Sequence, residues 1–473
     1  MHAIVSALFI ALYSVTVVGV ALVVIAENRN PLKSIAWILV LILTPGIGLL
    51  AYFLFGQDSR KQRIISRRTY RRITRGITFL TPSVPRKTKG SKYGLEKLLQ
   101  KTSGSPLLGT SDIRIYSSGY DKFDALMADI AQASHHIHLE YYVFEDDHIG
   151  QIVKEALIRK ANEGVSVRIL YDGVGSWSAD RRFFREMKQA GIRVHAFLHV
   201  TFPLFYSKVN YRNHRKIAVI DGRIGYIGGM NIADRYRTGL SWGTWRDTHL
   251  RITGDAVKAL QWAFAVDWYV ASKEQLSVIS SEPPASEGME KGNVMQIATG
   301  GPTGHWRILL QATIWLISSA RRYVYIQTPY FLPTESLNQA LQIAALSGVD
   351  VRLMLPQRSD TLSAHLAGRS YLDDLVRAGV KIYFYEKGFL HAKVIVADDM
   401  LSCVGSANMD FRSFEHNFEI NAYIYGEEFA LRLRKLFEDD MQSSRQPSPQ
   451  EWLRRPRKDR IAESFFRLFS PLM

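Results

Sequence analysis

The sequence predicts an α/β protein with two similar domains in a pseudo-twofold pair, preceded by a hairpin of two transmembrane helices. Two long segments repeat the same order of strands and helices, and each ends in an H-x-K-x4-D motif. Two uncharged apolar stretches come before them. At 473 residues the chain is long enough for two or three domains of roughly 100–200 residues each.

The N-terminal hairpin is predicted from two apolar stretches within residues 1–56, at about 3–26 and about 34–55. Each stretch is longer than the ~20 apolar residues that are needed to cross a bilayer core of about 30 Å. A cleaved signal peptide fits poorly, because no basic residues precede the first stretch and a second one follows closely. We therefore expect both helices to be retained.

The charge pattern around the hairpin predicts its orientation. The chain carries a net charge of +16, and residues 57–105 form a basic juxtamembrane linker with many cations between Arg60 and Arg75. Such a bias places both termini and the catalytic domains in the cytoplasm. A strongly basic chain suits nucleic acid or an anionic membrane surface, and the position of this cluster favours anionic membrane lipids. A single cysteine, Cys403, excludes an internal disulfide framework.

The internal repeat defines the two domains. The strands HHIHLEYYVF, VSVRILYDG and IRVHAF of the first copy match RRYVYIQTPYF, VDVRLMLPQ and VKIYFY of the second. Strands that alternate with helices at this spacing predict mixed sheets rich in parallel pairs, with helices on both faces. We place the domains at 106–285 and 286–445, with an exposed linker at Ser280–Lys291 and one site at the seam between them.

Beyond the second domain, residues 446–473 form a basic amphipathic tail. A helix in this segment would carry basic and apolar residues on different parts of its surface. Binding to a membrane surface and docking on the protein itself both remain open. The same holds for the apolar insertion VTFPLF before the first motif, which is either a lipid-facing lip or an ordinary loop.

The motif occurs twice with identical spacing. Asp follows His by seven positions in both copies, and Asn follows His by seventeen, so chance is an unlikely explanation. The motif residues are His214, Lys216, Asp221 and Asn231 in the first copy, and His391, Lys393, Asp398 and Asn408 in the second.

Side-chain alternation along a strand assigns different roles to these residues. Residues two apart share a face of a strand, so His214 and Lys216 point the same way, whereas Asp221 lies on the opposite face. We therefore expect the motif aspartates to anchor their strands. A carboxylate must then come from elsewhere to orient each imidazole, and the following strands offer Asp247 and Glu419.

The two motifs together predict phosphodiester chemistry. One imidazole can attack phosphorus and form a phosphohistidine, while the other protonates the leaving alkoxide. The two lysines and two asparagines would supply positive charge and hydrogen-bond donors to the phosphoryl oxygens. These groups take the electrostatic role of a metal, so no cofactor is expected. The histidines His135, His136 and His138 fit an exposed strand end better than a metal site.

With both motifs and their G-x-x-N extensions, the chain resembles the phospholipase D superfamily. The N-terminal hairpin, NYRNHRKIAVIDG, GGMNIADRY and WRDTHLRITG make it similar to the bacterial cardiolipin synthases of that superfamily. The resemblance implies transfer of a phosphatidyl group between two phosphatidylglycerol molecules, giving cardiolipin and glycerol. It implies His214 as nucleophile and His391 as acid and base, without metal. It also implies a multi-pass protein of the bacterial inner membrane.

The resemblance also draws attention to the position two residues before each motif asparagine. Family members commonly carry serine there, and Ser406 follows this pattern, whereas Gly229 departs from it. The two half-sites are therefore expected to hold the phosphate differently.

Other functions remain open on the residues alone. A membrane-bound phospholipase D or transphosphatidylase would use water or another alcohol as acceptor, and a nuclease would use the same chemistry on nucleic acid. The hairpin and the apolar insertion favour lipid over nucleic acid. A catalytically inactive scaffold is disfavoured by the intact motifs in both copies.

Overall fold

A computed structural model describes residues 2–26, 31–44, 46–52, 56, 92–198, 211–276 and 293–470. Three expectations concern segments outside these residues: the basic cluster from Arg60 to Arg75, the VTFPLF insertion and the linker Ser280–Lys291. The N-terminal helices belong to one compact unit and the remaining elements to another.

The N-terminal unit contains α1 (His2–Ala26), α2 (Pro31–Leu43) and α3 (Ile47–Ala51). The first two helices pack together, and the Tyr13 hydroxyl donates a hydrogen bond of 2.7 Å to the carbonyl of Leu41. Among the described residues, α1 is the one helix long and apolar enough to cross a bilayer, over Ile4–Ala26.

The predicted second span differs from the structure. Instead of one helix over 34–55, α2 begins at Pro31 and ends at Leu43, and the short α3 follows. The break coincides with a Pro-Gly pair in the sequence, and Gly46 adopts a left-handed φ of 78° that a helix interior does not allow. The hairpin therefore remains a prediction.

The larger unit is built from strands and helices in a regular order. Its helices are α4 (Lys92–Ser103), α5 (Gly119–Gln132), α6 (His148–Asn162), α7 (Arg181–Gln189), α8 (Arg235–Thr238), α9 (Ala256–Ser272), α10 (Ile308–Ser319), α11 (Glu335–Leu346), α12 (Leu362–Arg369), α13 (Leu372–Arg377), α14 (Phe411–Glu415), α15 (Glu427–Met441), α16 (Pro449–Leu453) and α17 (Arg457–Arg467). Its strands are β1 (Leu108–Gly109), β2 (Asp112–Tyr116), β3 (His136–Tyr141), β4 (Ser166–Asp172), β5 (Arg193–Phe197), β6 (Lys216–Ile220), β7 (Ile224–Gly228), β8 (Thr244–Arg246), β9 (His249–Thr253), β10 (Val294–Gly300), β11 (Tyr323–Gln327), β12 (Phe331–Leu332), β13 (Asp350–Pro356), β14 (Lys381–Tyr385), β15 (Gly388–Leu390), β16 (Val394–Ala397), β17 (Leu401–Gly405), β18 (Met409–Asp410), β19 (Glu419–Tyr425) and β20 (Ser444–Arg445).

Two sheets with the same strand order confirm the predicted duplication. The sheet of the first half has the order β2-β9-β7-β6-β3-β4-β5. The sheet of the second half has the equivalent order β10-β19-β17-β16-β11-β13-β14, with β1 and β20 added at its two edges. The chain thus contains two copies of one α/β fold.

Both sheets are mixed, as predicted, but they are not rich in parallel pairs. Parallel pairing is limited to β3-β4-β5 and to β11-β13-β14, and the other neighbours in each sheet are antiparallel. The reason is the connection that follows each motif strand. A short turn joins β6 to β7, and β16 to β17, so the chain reverses direction instead of crossing over through a helix.

Alternating side chains on the motif strands build three layers of core. On β6, Ile217 and Val219 face an inner core that the two halves share, whereas Ala218 and Ile220 face the outer core of the first half. Val394 and Val396 of β16 face the same inner core from the second half. The helices α9 and α15 pack into the inner core, and others cover the outer faces, so helices lie on both faces of the sheets.

The segment before the first half belongs structurally to the second half. Leu95 and Leu99 of α4 pack in the core of the second half with Leu309, and Leu108 of β1 pairs with Met295 of β10. From their position in the sequence, these residues were expected in the linker and at the start of the first domain. Nothing in a short apolar segment indicates which of two similar sheets it joins.

Candidate active site

Each motif histidine lies just before the strand that carries the rest of its motif, and not within that strand. The sequence predicted both motifs as continuous strands, but β6 begins at Lys216 and β16 at Val394. The backbone N–H of His214 donates to the carbonyl of Phe418 at 2.9 Å, and that of His391 donates to the carbonyl of Arg246 at 2.7 Å. Each histidine is therefore held through its backbone by the opposite half.

The orienting carboxylates cross between the halves in the same way. Nδ1 of His214 lies 2.9 Å and 3.1 Å from the two carboxylate oxygens of Glu419. Nδ1 of His391 lies 2.6 Å from Oδ2 of Asp247. The sequence identified both carboxylates but not the exchange between halves. A partner on Nδ1 fixes the ring and leaves Nε2 of each histidine for chemistry.

Two buried lysines place positive charge beside these histidines. Lys216 is fully buried and Lys393 is 4 % exposed, and each ammonium donates to the carbonyl of its motif histidine. Burial lowers the pKa of Lys216 to about 7 and that of Lys393 to about 8, although Glu419 and Asp247 oppose this effect. An anion bound here would favour the protonated lysines.

Burial also controls the charge of both histidines and of Asp247, the partner of His391. It lowers the pKa of His214 to about 4 despite the nearby Glu419, and it lowers the pKa of His391 well below its usual value. Burial raises the pKa of Asp247 to about 6. Both imidazoles are therefore neutral near pH 7, which is the form in which a ring nitrogen can attack phosphorus.

Ser406 positions a carboxylate in this structure. Its hydroxyl donates to Oε2 of Glu419 at 2.5 Å and accepts from the backbone N–H of Ile420 at 3.0 Å. The side-chain amide of Asn417 donates to the other oxygen of Glu419 at 3.3 Å. Ser406 thereby helps to orient the carboxylate that holds His214, and a contact between Ser406 and phosphate stays a prediction.

Gly229 occupies the position in the first half that is equivalent to Ser406, and it leaves room for a carboxylate where Ser406 binds one. A Cβ atom there would lie 2.1 Å from Oδ1 of Asp247, so the carboxylate fills the space that a side chain would need. Asp247 instead accepts a hydrogen bond of 2.7 Å from the backbone N–H of Thr248. The two half-sites thus differ in how they hold their carboxylates.

The motif asparagines link loops around the site. Oδ1 of Asn231 accepts from the backbone N–H of Val143 at 3.0 Å, and its amide nitrogen donates to the hydroxyl of Tyr236. The amide nitrogen of Asn408 donates to Asp410 at 3.0 Å. A primary amide has two N–H groups, so each asparagine retains one that a phosphoryl oxygen could accept.

The motif aspartates anchor strands far from the histidines. Asp221 accepts three backbone hydrogen bonds of 2.8 Å, which come from Ser134, His135 and His136 at the start of β3. Asp398 accepts from Arg321, Arg322 and Tyr323 at 2.7–2.9 Å. At the rise of a strand, each aspartate is roughly 16 Å from its motif lysine. These residues, grouped with the catalytic motif in the prediction, position strands and do not touch the reacting atoms.

The sequence predicted an exposed strand end at His135, His136 and His138, but the structure buries His136 and His138, whose rings bond within the protein. His136 and His138 share the side-chain amide of Gln261, at 3.1 Å and 2.7 Å. In the described part of the chain, no group of three or more His, Cys, Asp or Glu side chains could hold a metal ion.

Sequence reasoning missed a buried polar network around the first motif. The carboxylate of Asp172 accepts a hydrogen bond of 2.9 Å from the backbone N–H of Asn213. The side-chain amide of Asn213 donates to Glu140 at 2.6 Å. Arg215 forms an ion pair with Asp267. The only signal in the sequence is the unusual density of polar residues in RNHRK, which are buried here with acidic partners from β3, β4 and α9.

Aromatic side chains, also missed, line both histidines. The ring of Tyr142 lies 4.9 Å from that of His214. The rings of Trp245 and Phe389 lie 5.1 Å and 5.7 Å from that of His391. These rings limit access of water to the imidazoles, which strengthens the electrostatic interactions within the site.

Comparison with known proteins gives matches over both halves. Residues 126–242 and 313–441 match the family described as cardiolipin synthase, PLD-like domain, and residues 11–57 match the phospholipase D-nuclease N-terminal family. A cardiolipin synthase of Geobacillus kaustophilus is 41% identical over 98% of this chain and 94% of its own length. The major cardiolipin synthase of Bacillus subtilis is 39% identical over 99% of this chain and all of its own length.

Solved structures share the fold. A crystal structure of the phosphatidylserine synthase of Haemophilus influenzae aligns with a TM-score of 0.61 at 14% identity. The alignment covers 81% of this chain and 98% of that one. At this identity the likeness concerns the fold alone.

Gly229→Ala should abolish most phosphodiester turnover. The added Cβ would displace Asp247 and with it the ring of His391, and a misplacement of about 1 Å costs on the order of 10²-fold in rate. Gly173→Ala is the matched control, because its Cβ would meet only Ala196 at 3.8 Å. Full turnover in a folded Gly229→Ala protein would contradict the role assigned to Asp247.

Affinity for an oxyanion should fall as the pH rises from 6 to 9. The lysines, with pKa values of about 7 and about 8, are charged below these values and neutral above them, and Asp247 gains its negative charge above about 6. Inhibition by sulfate, which does not titrate in this range, should weaken on the order of tenfold. Lys216→Arg should reduce this dependence, because a guanidinium stays charged. A flat profile for the unmodified protein would contradict the assigned charges.

Proposed function

This chain belongs to the cardiolipin synthase family with PLD-like domains, and on that premise we propose that it transfers a phosphatidyl group between two phosphatidylglycerol molecules. The products are cardiolipin and glycerol. The observation that carries the proposal is the crossed arrangement of the site, in which two histidines, each oriented by a carboxylate from the opposite half, lie beside two buried lysines.

In the first half-reaction, Nε2 of His214 attacks the phosphorus of one phosphatidylglycerol. The N–P bond forms as the bond from phosphorus to the head-group glycerol oxygen breaks. His391, which takes up a proton from solvent at Nε2 as the anionic lipid binds and whose imidazolium Asp247 stabilises, gives that proton to the leaving oxygen. Glu419 stabilises the positive charge that develops on the ring of His214. The two lysines stabilise the charge on the phosphoryl oxygens.

In the second half-reaction, the direction of proton transfer reverses. Nε2 of His391 takes the proton from a hydroxyl of the second phosphatidylglycerol, and that oxygen attacks phosphorus as the N–P bond to His214 breaks. Cardiolipin leaves and both histidines return to their starting protonation states. All steps use side chains of this chain, so the reaction needs no cofactor.

The alternative is a phospholipase D or transphosphatidylase with water or another alcohol as acceptor. The site would carry out the same first half-reaction in that case. Relatives named as cardiolipin synthases over nearly the whole chain favour a lipid acceptor. The candidate membrane span Ile4–Ala26 favours a lipid over a nucleic acid substrate.

We extend the proposal to the location of the protein. The relatives are bacterial, and a candidate span near the N-terminus is consistent with a membrane protein. The basic residues that flank the apolar stretches favour two passes through the inner membrane, with the catalytic domains in the cytoplasm.

The C-terminal helix α17 supports contact with anionic lipid. Its buried Glu463 pairs with Arg369 at 2.9 Å and Arg455 at 2.8 Å, which docks one face on the second half. A different face exposes Ile461, Phe465 and Leu468 among several cations. One face of the helix thus docks on the protein, which leaves the other free for a membrane surface. We propose that this exposed face binds anionic lipid.

The principal test uses the full chain in detergent micelles with phosphatidylglycerol as the only lipid. We expect cardiolipin and an equimolar amount of glycerol, with no loss of activity on addition of a chelator. His214→Ala and His391→Ala should each abolish the reaction, because each histidine serves both half-reactions. Product lipids are separated by chromatography and glycerol is measured enzymatically.

Other outcomes of this assay have clear meanings. Phosphatidic acid with glycerol would show that water is the acceptor and would support the alternative. Activity that survives either histidine substitution would contradict a single shared site. Lys435→Ala is a suitable control, because that side chain is exposed and pairs only with Asp439, four residues later on the same helix.

The C-terminal helix is tested with a polarity-sensitive dye at Leu468→Cys. The native thiol, Cys403, is buried and its pKa is raised to about 12, so a maleimide reacts only at the new site. The dye should report a less polar environment in phosphatidylcholine vesicles that contain phosphatidylserine, and salt should reverse the change. Leu346→Cys is the matched control, since Leu346 is 72% exposed and Leu468 74%. Equal responses at both positions would contradict the proposal.

A further inference from the structure

We propose that a cavity separated from His391 by the ring of Phe389 binds the acceptor lipid, the second phosphatidylglycerol. The cavity has a volume of about 300 Å³ and is lined by Trp242, Gln357, Arg358, Ser359, Leu362 and His365. This inference rests on the proposed function and assigns a separate site to one of the two lipid substrates.

The direction of the reaction places the acceptor on this side of the site. When His214 attacks phosphorus, the oxygen that leaves lies opposite to it, next to His391. The acceptor oxygen must later approach along the same line, because it displaces His214 and gives its proton to His391. An acceptor lipid therefore has to reach the site from the His391 side.

Aromatic contacts connect the cavity with His391. The ring of Phe389 lies 5.7 Å from the ring of His391 and 6.5 Å from the ring of Trp242, which lines the cavity. The ring of Tyr330 packs 6.2 Å from Phe389, and its hydroxyl donates to Asp360 at 2.6 Å. This hydrogen bond ties the loop that carries Arg358 to the wall of the active site.

The lining of the cavity suits a phosphatidylglycerol head group. The hydroxyl that reacts and the phosphate that stays on the acceptor are separated only by the glycerol carbons, so a cation is needed near His391 to meet the second phosphate. Arg358 lines the cavity and supplies this charge. Trp242 and Leu362, which is 69% exposed, offer apolar surface to the lipid beyond the phosphate.

The equivalent loop of the first half has no such cation. The strands β4 and β13 occupy equivalent places in the two sheets. The loop after β4 (173–180) reads GVGSWSAD and contains no cation, whereas the loop after β13 (357–361) reads QRSDT and carries Arg358. The difference between these loops matches the different tasks of the two sides, since only the His391 side meets an acceptor.

Two reactions of the full-length protein separate acceptor binding from the shared chemistry. Exchange of labelled free glycerol into phosphatidylglycerol needs the donor lipid and both histidines, but its acceptor has neither phosphate nor acyl chains. Formation of cardiolipin needs the acceptor lipid as well. Arg358→Gln should therefore lower cardiolipin formation at limiting phosphatidylglycerol by roughly tenfold, the scale of a lost charge-assisted hydrogen bond, and leave glycerol exchange nearly unchanged.

Two further variants complete the test. Arg358→Lys keeps the charge and should restore most of the cardiolipin formation, whereas Arg377→Gln removes an exposed arginine of α13 and should have no effect. Equal loss of both reactions in Arg358→Gln, or loss of neither, would overturn the acceptor site. An unmodified protein that forms only phosphatidic acid would overturn the proposed function itself, which is a different result.

Discussion

The exchange of carboxylates between the two halves is the interaction on which the site depends. His214 is oriented by Glu419 and His391 by Asp247, so neither half contains a complete catalytic pair. The backbone hydrogen bonds from each histidine to the opposite half place these pairs in register. The shared inner core has the same effect on a larger scale, because the two sheets bury apolar side chains against each other directly behind the site. The interface between the halves therefore both stabilises the fold and sets the catalytic geometry, so a change that weakens the interface would also disturb the site.

Electrostatic balance explains why such a polar site can be buried. Two lysines are matched by two carboxylates, and the imidazoles remain neutral because desolvation disfavours their charged forms. The balance of charge is incomplete before a substrate binds, because burial also lowers the pKa of both lysines and so disfavours their protonated forms. A phosphodiester would bring the negative charge that makes their protonated forms favourable. Substrate binding and the charge state of the lysines are in this way coupled.

Local spacing allowed much of the fold and site to be predicted from sequence. The His–Lys pairs and the two orienting carboxylates follow from patterns close to each motif, and the duplication follows from the repeated order of strands and helices. The sequence did not predict that carboxylates exchange between halves, nor that Ser406 binds Glu419, because both depend on contacts between distant segments. The apolar composition of the second stretch predicts one helix, but its Pro-Gly pair falls where the structure divides it into two. Parallel pairing was overestimated because a short turn, not a helix, follows each motif strand.

The early segment that joins the second half has a consequence for synthesis on the ribosome. The hydroxyl of Ser105 donates to the carbonyl of Ile297, a partner 192 positions later, and β1 pairs with β10 in the same region. These partners do not yet exist when α4 and β1 are translated, so this segment has no sheet to join until β10 has been made. Closure of such a long loop is slow compared with local folding. Capture of the chain's own early segment therefore comes only after the second half has been made, when the two halves can also close the inner core that they share.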